Sequence, residues 1–183
     1  ALLLGHEYYR TQYYYLQAGK SMLYSYDSEE LAGAVVDASA AHSYTTDYNN
    51  EGYFFRGQYN YDERYFFSAS FRHDASSKFH PDNRWGNFFS VGASWRISEE
   101  GFAQDAEWLD NAVLRASYGT SGNDKLIPRE SNGKAGGEVL YAYQGLYSSE
   151  TLFGLAGLKP STAPTPNLVW EKNKQFNVAL DFT

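Results

Sequence analysis

The sequence predicts an all-β fold of about six antiparallel strands that form part of a large transmembrane β-barrel. Apolar and polar residues alternate with a period of two, which is the period of a β-strand. Long and short connections alternate along the chain, as in barrels whose long loops lie at one end. Aromatic residues make up 18% of the chain and gather near the ends of the apolar faces, where membrane barrels carry interfacial girdles.

The clearest strand lies at residues 87–97, where Phe89, Val91 and Ala93 alternate with polar residues that include Ser90 and Arg96. A segment of ~9–11 residues is long enough for a tilted strand to cross the bilayer. The same alternation recurs at four other places, and less cleanly at residues 2–9. The four segments are residues 53–61, 65–74, 114–118 and 176–182.

The connections differ greatly in length. Residues 62–64 form a tight hairpin turn, and residues 98–111 contain apolar positions that predict a short helix. We expect both on the periplasmic side. We expect the long connections at about 10–50, 75–86 and 120–167 on the extracellular side.

Composition excludes several classes of protein. The aromatic content argues against disorder, and a net charge of −7 without a basic stripe argues against nucleic-acid binding. The chain has no cysteine, and no apolar run approaches the ~18 residues of a membrane-spanning helix. A mean hydropathy of −0.57 suits a membrane barrel, since only alternate residues face lipid. A soluble β-sandwich has the same alternation and remains an alternative from the pattern alone.

Six strands are too few to close a membrane barrel, because the smallest single-chain barrels have about eight. An open edge in lipid would leave backbone groups unpaired at several kcal/mol each. We therefore expect residues 1–183 to be a segment of a larger barrel.

Three motifs invite a chemical interpretation. Ser76 and Lys78 in the run from Asp74 to Phe79 resemble a nucleophile and base, but polar residues at a strand end favour local backbone hydrogen bonds. Residues 47–51 carry oxygen ligands at alternate positions, which leaves calcium in an extracellular loop as an alternative to no cofactor. The four histidines lack paired ligand spacing, so we predict no metal site. We also predict no enzyme activity, because the sequence shows no acid–base pair at an identifiable spacing.

Seven runs in one order resemble the barrel of the SusC/RagA-type TonB-dependent outer-membrane transporters of Bacteroidetes, and the run from Gly5 to Glu7 fits an earlier strand of that family. The seven runs are YDERYF at 61–66, SFRHDASSKF at 70–79, NRWGNFFSV at 83–91, SWRISEE at 94–100, LRASYGTSGN at 114–123, LVWEK at 168–172 and QFNVALDF at 175–182.

The resemblance implies a barrel of about 22 strands in the outer membrane, filled by a plug. It also implies uptake of glycans, or of peptides in some members, with a SusD-like surface lipoprotein as cap and TonB as energy source. We expect the plug domain, the N-terminal extension and the closing strands to lie outside residues 1–183. A secreted or surface β-domain that binds carbohydrate is the alternative from another class.

Two groups of residues are candidate sites. Polar side chains on the strands are predicted to face the lumen, as a substrate path or as ion pairs that fill the barrel; they are Arg56, Arg72, Asp74, Arg96, Arg115 and Asp181. Tyrosines in the long loops are candidate contacts to substrate or to the lipoprotein cap, since aromatic rings stack on the apolar faces of sugars, and packing within the loops is the alternative. They are Tyr13, Tyr14, Tyr15, Tyr141, Tyr143 and Tyr147.

Overall fold

The computed structural model describes residues 1–25, 27, 30–103, 109–128 and 137–183, with the backbone alone at residues 35–40 and 152. None of the described residues forms a helix long and apolar enough to cross a membrane. In the described part of the chain, eight strands and two 3-10 turns follow one another. The strands are β1 (Leu2–Leu23), β2 (Ala34–Tyr61), β3 (Tyr65–Ser76), β4 (Trp85–Arg96), β5 (Ala112–Asn123), β6 (Leu146–Leu152), β7 (Leu155–Thr162) and β8 (Glu171–Phe182), and the 3-10 turns are Leu31–Gly33 and Ile97–Glu99.

Six of the strands form one sheet in the order β1-β2-β3-β4-β5-β8, while β6 and β7 form a separate two-stranded sheet. The pairings from β2 through β8 are antiparallel. The predicted all-β fold of six antiparallel strands is confirmed. Every predicted strand segment lies within one of these six strands, apart from Ile97, which belongs to a 3-10 turn.

The predicted loops are partly wrong. The connection expected at residues 10–50 is mostly strand, because β1 continues to Leu23 and β2 begins at Ala34. The connection expected at 119–166 contains the β6–β7 hairpin, whose turn places Phe153 and Gly154 at positive φ. The helix expected at 98–111 is reduced to the 3-10 turn Ile97–Glu99 in the described part, and residues 104–108 lie outside it.

The turn at residues 62–64 is a tight hairpin, as predicted. Asp62 and Glu63 both have φ of 52°, and the Arg64 N–H donates to the Tyr61 carbonyl over 3.2 Å. Two successive residues of positive φ match the right-handed twist of the strands that they join. The turn therefore fixes the register of β2 against β3, from Tyr61↔Tyr65 to Asn50↔Ser76.

One surface of the sheet, here the apolar face, gathers the apolar residues of five strands. Cross-strand pairs join Phe55 to Phe71 and Phe71 to Phe89, and the pairing continues across β5 to β8. The large side chains of this face are exposed, with Val91 at 49% and Phe176 at 69%. Its members are Phe55, Gly57, Tyr59, Phe67, Ala69, Phe71, Phe89, Val91, Ala93, Leu114, Ala116, Tyr118, Phe176, Val178 and Leu180.

Aromatic rims bound the apolar face at both ends of the strands. At the end beside the 62–64 turn, the rings of Tyr65 and Trp95 stack at 6.5 Å and 11°. At the opposite end, Trp85 stacks on His73 at 4.3 Å and 7°, and its centroid lies 6.2 Å from that of Tyr53. Amphipathic rings at two levels, separated by rows that are mostly apolar, are typical of a membrane-crossing sheet.

A small buried aromatic core lies where β3 ends and β4 begins. Phe79 is fully buried against Trp170, and Phe88 meets the same indole edge-on, each at 5.4 Å. A Cβ at Gly122 would lie 2.2 Å from the Phe88 ring, so only glycine lets β5 pass this ring. The Trp170 indole donates to the Arg84 carbonyl over 2.8 Å, which ties the start of β8 to the loop after β3.

Lys78 places a buried cation beside this aromatic core. Its Nζ lies 2.7 Å from Oε1 of Glu138 and 3.3 Å from Oδ2 of Asp124, and the Ser76 hydroxyl donates to the same Asp124 oxygen over 2.8 Å. A buried ammonium requires such partners, because its desolvation is otherwise uncompensated. The group links the end of β3 to the segment after β5.

A carboxylate anchors the opposite end of the sheet. Oε1 of Glu100 accepts hydrogen bonds from the Tyr65 hydroxyl and, over 3.0 Å, from the Trp95 indole, while Arg64 lies 3.8 Å from Oε2. These two hydrogen bonds, together with the Arg64 charge, lower the pKa of Glu100 below its ordinary value of 4.5. The charged form is therefore the one that the folded state stabilises.

Replacement of Lys78 should destabilise the folded protein. Lys78→Met leaves Asp124 and Glu138 without their cation, and we expect the free energy of unfolding to fall by about 3 kcal/mol. Lys159→Met is the matched control, since Lys159 and Glu150 form an exposed pair at 3.8 Å that should contribute less than about 1 kcal/mol. Chemical denaturation of the full-length protein in detergent measures both values, and equal effects would contradict the buried linkage.

The Glu100 anchor should make stability depend on pH. A lowered folded-state pKa gives stability that is present above the ordinary value of 4.5 and is lost as pH falls through the folded-state pKa. Glu100→Gln should thus lower Tm at neutral pH, and its deficit against the unmodified protein should shrink as the pH falls below 4.5. Thermal unfolding over this range tests it, with Glu63→Gln at the adjacent exposed turn as the control. A deficit that is constant with pH would refute the assignment.

Candidate functional site

The polar face is the surface of the sheet opposite the apolar face, and its middle is lined by small uncharged side chains. One cross-strand row crosses β2, β3, β4, β5 and β8 without a charge. In the next row, the hydroxyls of Ser70 and Ser90 lie 2.7 Å apart. The uncharged row consists of Gln58, Ser68, Gly92, Ser117 and Asn177.

Arg72 is the centre of the charged group at one end of the polar face. Its guanidinium donates to Asp74 over 3.0 Å, reaches Glu7 at 3.5 Å and lies 5.4 Å from the Phe54 ring centroid. A Cβ at Gly52 would lie 2.3 Å from the Asp74 carboxylate, so glycine makes room for the pair. Arg72 and Asp74 therefore form an ion pair on this face.

The other end of the polar face carries a second ion pair. Arg115 on β5 lies 2.9 Å from Asp181 on β8. Arg96 donates to the Glu63 carbonyl over 3.5 Å, which places it at the 62–64 turn. Arg56 lies on β2 opposite Ser70 and is exposed. Strand alternation therefore brings all six predicted polar residues to one face, and their orientation towards a lumen remains a prediction.

The tyrosines at 13–15 lie in strand β1 and not in a loop, which corrects the sequence prediction. Tyr13 and Tyr15 point to one side of the strand, together with Tyr44 of β2, and Tyr14 points to the other. The Tyr15 and Tyr44 rings stack at 5.0 Å and 25°. Adjacent tyrosines on one strand cannot share a surface, so the three do not form a single contact site.

The second set of tyrosines is spread over a loop and a strand. Tyr141 and Tyr143 are half-buried, and the Tyr143 ring meets His80 edge-on at 5.9 Å. Tyr147 belongs to β6, which again corrects the loop assignment, and is 64% exposed. The structure therefore leaves Tyr147 accessible and packs the other two against neighbouring residues.

The catalytic interpretation of Ser76 and Lys78 finds no support in the geometry. The Ser76 hydroxyl donates to Asp124, and the Lys78 ammonium is held by two carboxylates, so neither is poised as a nucleophile or base. Residues 47–51 lie in β2 and not in a loop. Asp47 pairs with Arg10 at 3.3 Å, and Glu51 accepts from the Tyr53 hydroxyl at 2.8 Å. Among the described residues, no three His, Cys, Asp or Glu side chains are grouped to hold a metal ion.

Several partners in these ion pairs and aromatic contacts were not predicted from the sequence. Asp124 and Glu138 lie 46 and 60 residues from Lys78, so no spacing rule connects them. Glu7 pairs with Arg72 from 65 residues away. His42 and Tyr44 were detectable in principle, since they alternate in the strand period, but they fell within a segment assigned to a loop.

Comparisons with known proteins identify the family. Residues 2–183 match the family model described as TonB dependent receptor-like, beta-barrel. The chain is 34% identical to TonB-dependent receptor P26 of Formosa agariphila over 142 residues, and this alignment covers 75% of the chain and 13% of that protein. It is also 34% identical to TonB-dependent receptor SusC of Bacteroides thetaiotaomicron over 150 residues, and this alignment covers 76% of the chain and 14% of that protein.

Solved structures agree with the sequence relatives. The structure of the RagAB peptide transporter superposes with a TM-score of 0.84 at 30% identity, over 98% of this chain and 19% of that one. The chain thus spans less than a fifth of the length of these relatives. The predicted resemblance to the SusC/RagA type is confirmed, and the six-stranded sheet is a segment of such a barrel. The chain belongs to the outer-membrane family of TonB-dependent receptor β-barrels.

Proposed function

We propose that this chain forms part of the barrel wall of a TonB-dependent transporter that imports nutrients across the outer membrane. The observation that carries the proposal is the two-sided sheet. Its apolar face is exposed across five strands and bounded by two aromatic rims, and its polar face carries paired charges and small hydroxyls. Lipid on one side and a hydrated lumen on the other explain both surfaces.

The nutrient class that we propose is oligosaccharide, taken up together with a SusD-like surface lipoprotein. The family resemblance and the SusC relative support this assignment. A second support comes from the polar face. Its middle row holds hydroxyls and amides without a fixed charge, which suits the passage of a neutral polyol. In this proposal Arg56, Arg72, Asp74, Arg96, Arg115 and Asp181 face the lumen, and TonB supplies the energy.

Import of oligopeptides is the second candidate, and one observation favours it. The solved structures that superpose on this chain include the RagAB peptide transporter at a TM-score of 0.84. The same wall serves either cargo, because the resemblance lies in the strands and not in a binding site. A secreted β-domain is less well supported, since the large exposed apolar face would be uncovered in water.

Adjacent residues of β3 test whether the sheet crosses a membrane. Ala69 lies on the apolar face in the row of Gly57 and Val91, while Ser68 lies on the polar face. We expect Ala69→Arg to lower the free energy of unfolding by ~2–4 kcal/mol near the midplane, and Ser68→Arg to cost less than about 1 kcal/mol. Heat-modifiable migration of the full-length protein and its yield in outer membranes provide the measurements. Equal tolerance of both arginines would exclude a lipid-facing apolar face.

Uptake by cells tests the transport itself and its cargo. Cells that carry the full-length protein as their importer should accumulate labelled neutral oligosaccharides, and inactivation of TonB should reduce accumulation to the level of a strain without the protein. Labelled oligopeptides of similar mass provide the comparison. Accumulation of peptides alone would support the second candidate, and uptake that persists without TonB would refute the proposed mechanism.

A further inference from the structure

The part of the β1–β2 hairpin between Arg10 and Tyr48, which forms a compact unit by itself, carries a row of four aromatic rings. This ring row consists of Tyr13 and Tyr15 on β1 and His42 and Tyr44 on β2. The Tyr15 and Tyr44 rings stack at 5.0 Å. Tyr13 lies 6.2 Å from Tyr44, and His42 lies 5.7 Å from Tyr44 and 6.3 Å from Tyr15. The four rings therefore make one continuous aromatic surface.

The ring row is open to solvent. Tyr13 is 52% exposed and Tyr44 is 43% exposed. Rings of this size in a soluble environment usually cover a core or a partner, because their apolar area is large. Here the stacking covers only the contact between neighbouring rings, which leaves accessible ring surface.

The surroundings of the ring row are uncharged. Strand alternation places Thr11, Gln17 and Thr46 on the same side of the hairpin, and the Tyr15 hydroxyl donates to the Gln17 side chain over 2.8 Å. Arg10 and Asp47 lie on the opposite side of the hairpin and pair with each other at 3.3 Å. The site therefore offers aromatic faces, hydroxyls, an amide and the imidazole of His42.

This combination defines the ligand class. Aromatic faces attract the C–H surface of a pyranose ring, and hydroxyl and amide groups beside them fix its hydroxyls. A nucleic acid or an anionic ligand would call for cations, and a charged peptide for complementary charges. We propose that the ring row binds the sugar rings of a neutral oligosaccharide. The inference rests on the proposed function of a nutrient importer and assigns its cargo contact to this hairpin.

The alternative role of the ring row is structural, because aromatic cross-strand pairs stabilise hairpins by themselves. The two roles differ in what they require. A structural role needs the packing between the rings, whereas binding also needs an open and uncharged surface around them. Tyr13 separates the two, since it lies at the edge of the row and leaves the Tyr15–Tyr44 stack intact when it is replaced.

The test measures the affinity of the full-length protein in detergent for cellohexaose, maltohexaose, laminarihexaose and mannohexaose by isothermal titration calorimetry. We expect at least one to bind and Tyr15→Ala/Tyr44→Ala to weaken it about tenfold or more. Tyr15→Phe/Tyr44→Phe keeps the ring faces and should stay within about threefold. Leu16→Ala changes an exposed residue on the opposite side of β1 and should leave affinity unchanged.

Tyr13→Arg tests the proposal even if the double alanine variant fails to fold. It places a charge at the edge of the ring row without touching the central stack, so it should preserve Tm and still weaken binding about tenfold. The proposal is overturned if none of the four sugars binds the unmodified protein. It is also overturned if the alanine and Tyr13→Arg variants bind as tightly as the unmodified protein, or if Leu16→Ala weakens binding as much as they do.

Failure of this inference is distinguishable from failure of the proposed function. TonB-dependent uptake that is intact in the ring-row variants would reject the ring row as a cargo contact while the transporter assignment stands. Loss of TonB dependence in the unmodified protein would reject the transporter assignment, whatever the calorimetry shows.

Discussion

Backbone pairing between neighbouring strands is the constraint on which the rest of this structure depends. In hydrocarbon no water satisfies a free N–H or C=O group, so the strands must pair where they cross the membrane. β2 pairs with β3 from Asn50↔Ser76 to Tyr61↔Tyr65, β4 pairs with β5 from Ser90↔Gly119 to Arg96↔Val113, and β5 pairs with β8 from Ala112↔Phe182 to Asn123↔Glu171. Because strand side chains alternate, this register also sorts every residue onto the apolar or the polar face.

A sheet with one face towards lipid needs little core of its own, and the burial pattern follows from this. The apolar side chains that a soluble protein would bury remain exposed along the strands, and the buried aromatic packing gathers at one strand end around Phe79 and Trp170. There the chain leaves its regular pairing, so loop segments depend on specific contacts such as the Lys78 ion pairs. At the other end, the 62–64 turn and Glu100 hold the strands together with local contacts.

The sequence allowed the strands of the membrane wall to be predicted because their alternation is clean. Phe89, Val91 and Ala93 face one way and Ser90 and Ser94 the other, so a period of two is visible without a structure. The extension of β1 was missed because Tyr13, Tyr14 and Tyr15 put rings on both sides, which removes the contrast that marks a strand. The β6–β7 hairpin was missed because its residues are mixed and its turn, Phe153–Gly154, was hidden in a long polar segment.

The candidate site was less predictable than the fold for a related reason. Strand alternation assigns a face but not a partner, so Arg72 and Arg115 were placed on the polar face while Glu7, 65 residues from Arg72, went unnoticed. Pairing across the sheet brings together residues that are distant in sequence, and only the register shows which ones meet. The same holds for His42 and Tyr44, whose proximity to Tyr13 and Tyr15 depends on the hairpin.

The chemistry of the polar face also bears on where selectivity arises. Its middle row from Gln58 to Asn177 consists of small uncharged groups, and Arg72 and Arg115 beside it are neutralised by Asp74 and Asp181. Such a row can form hydrogen bonds with any hydrated solute, but it has no shape that fits one solute better than another. Discrimination between cargoes requires groups that fit one ligand and penalise another. Exposed rings with a fixed stacking geometry meet that requirement. Recognition of the cargo is therefore expected in the loops and hairpins and not in the barrel wall.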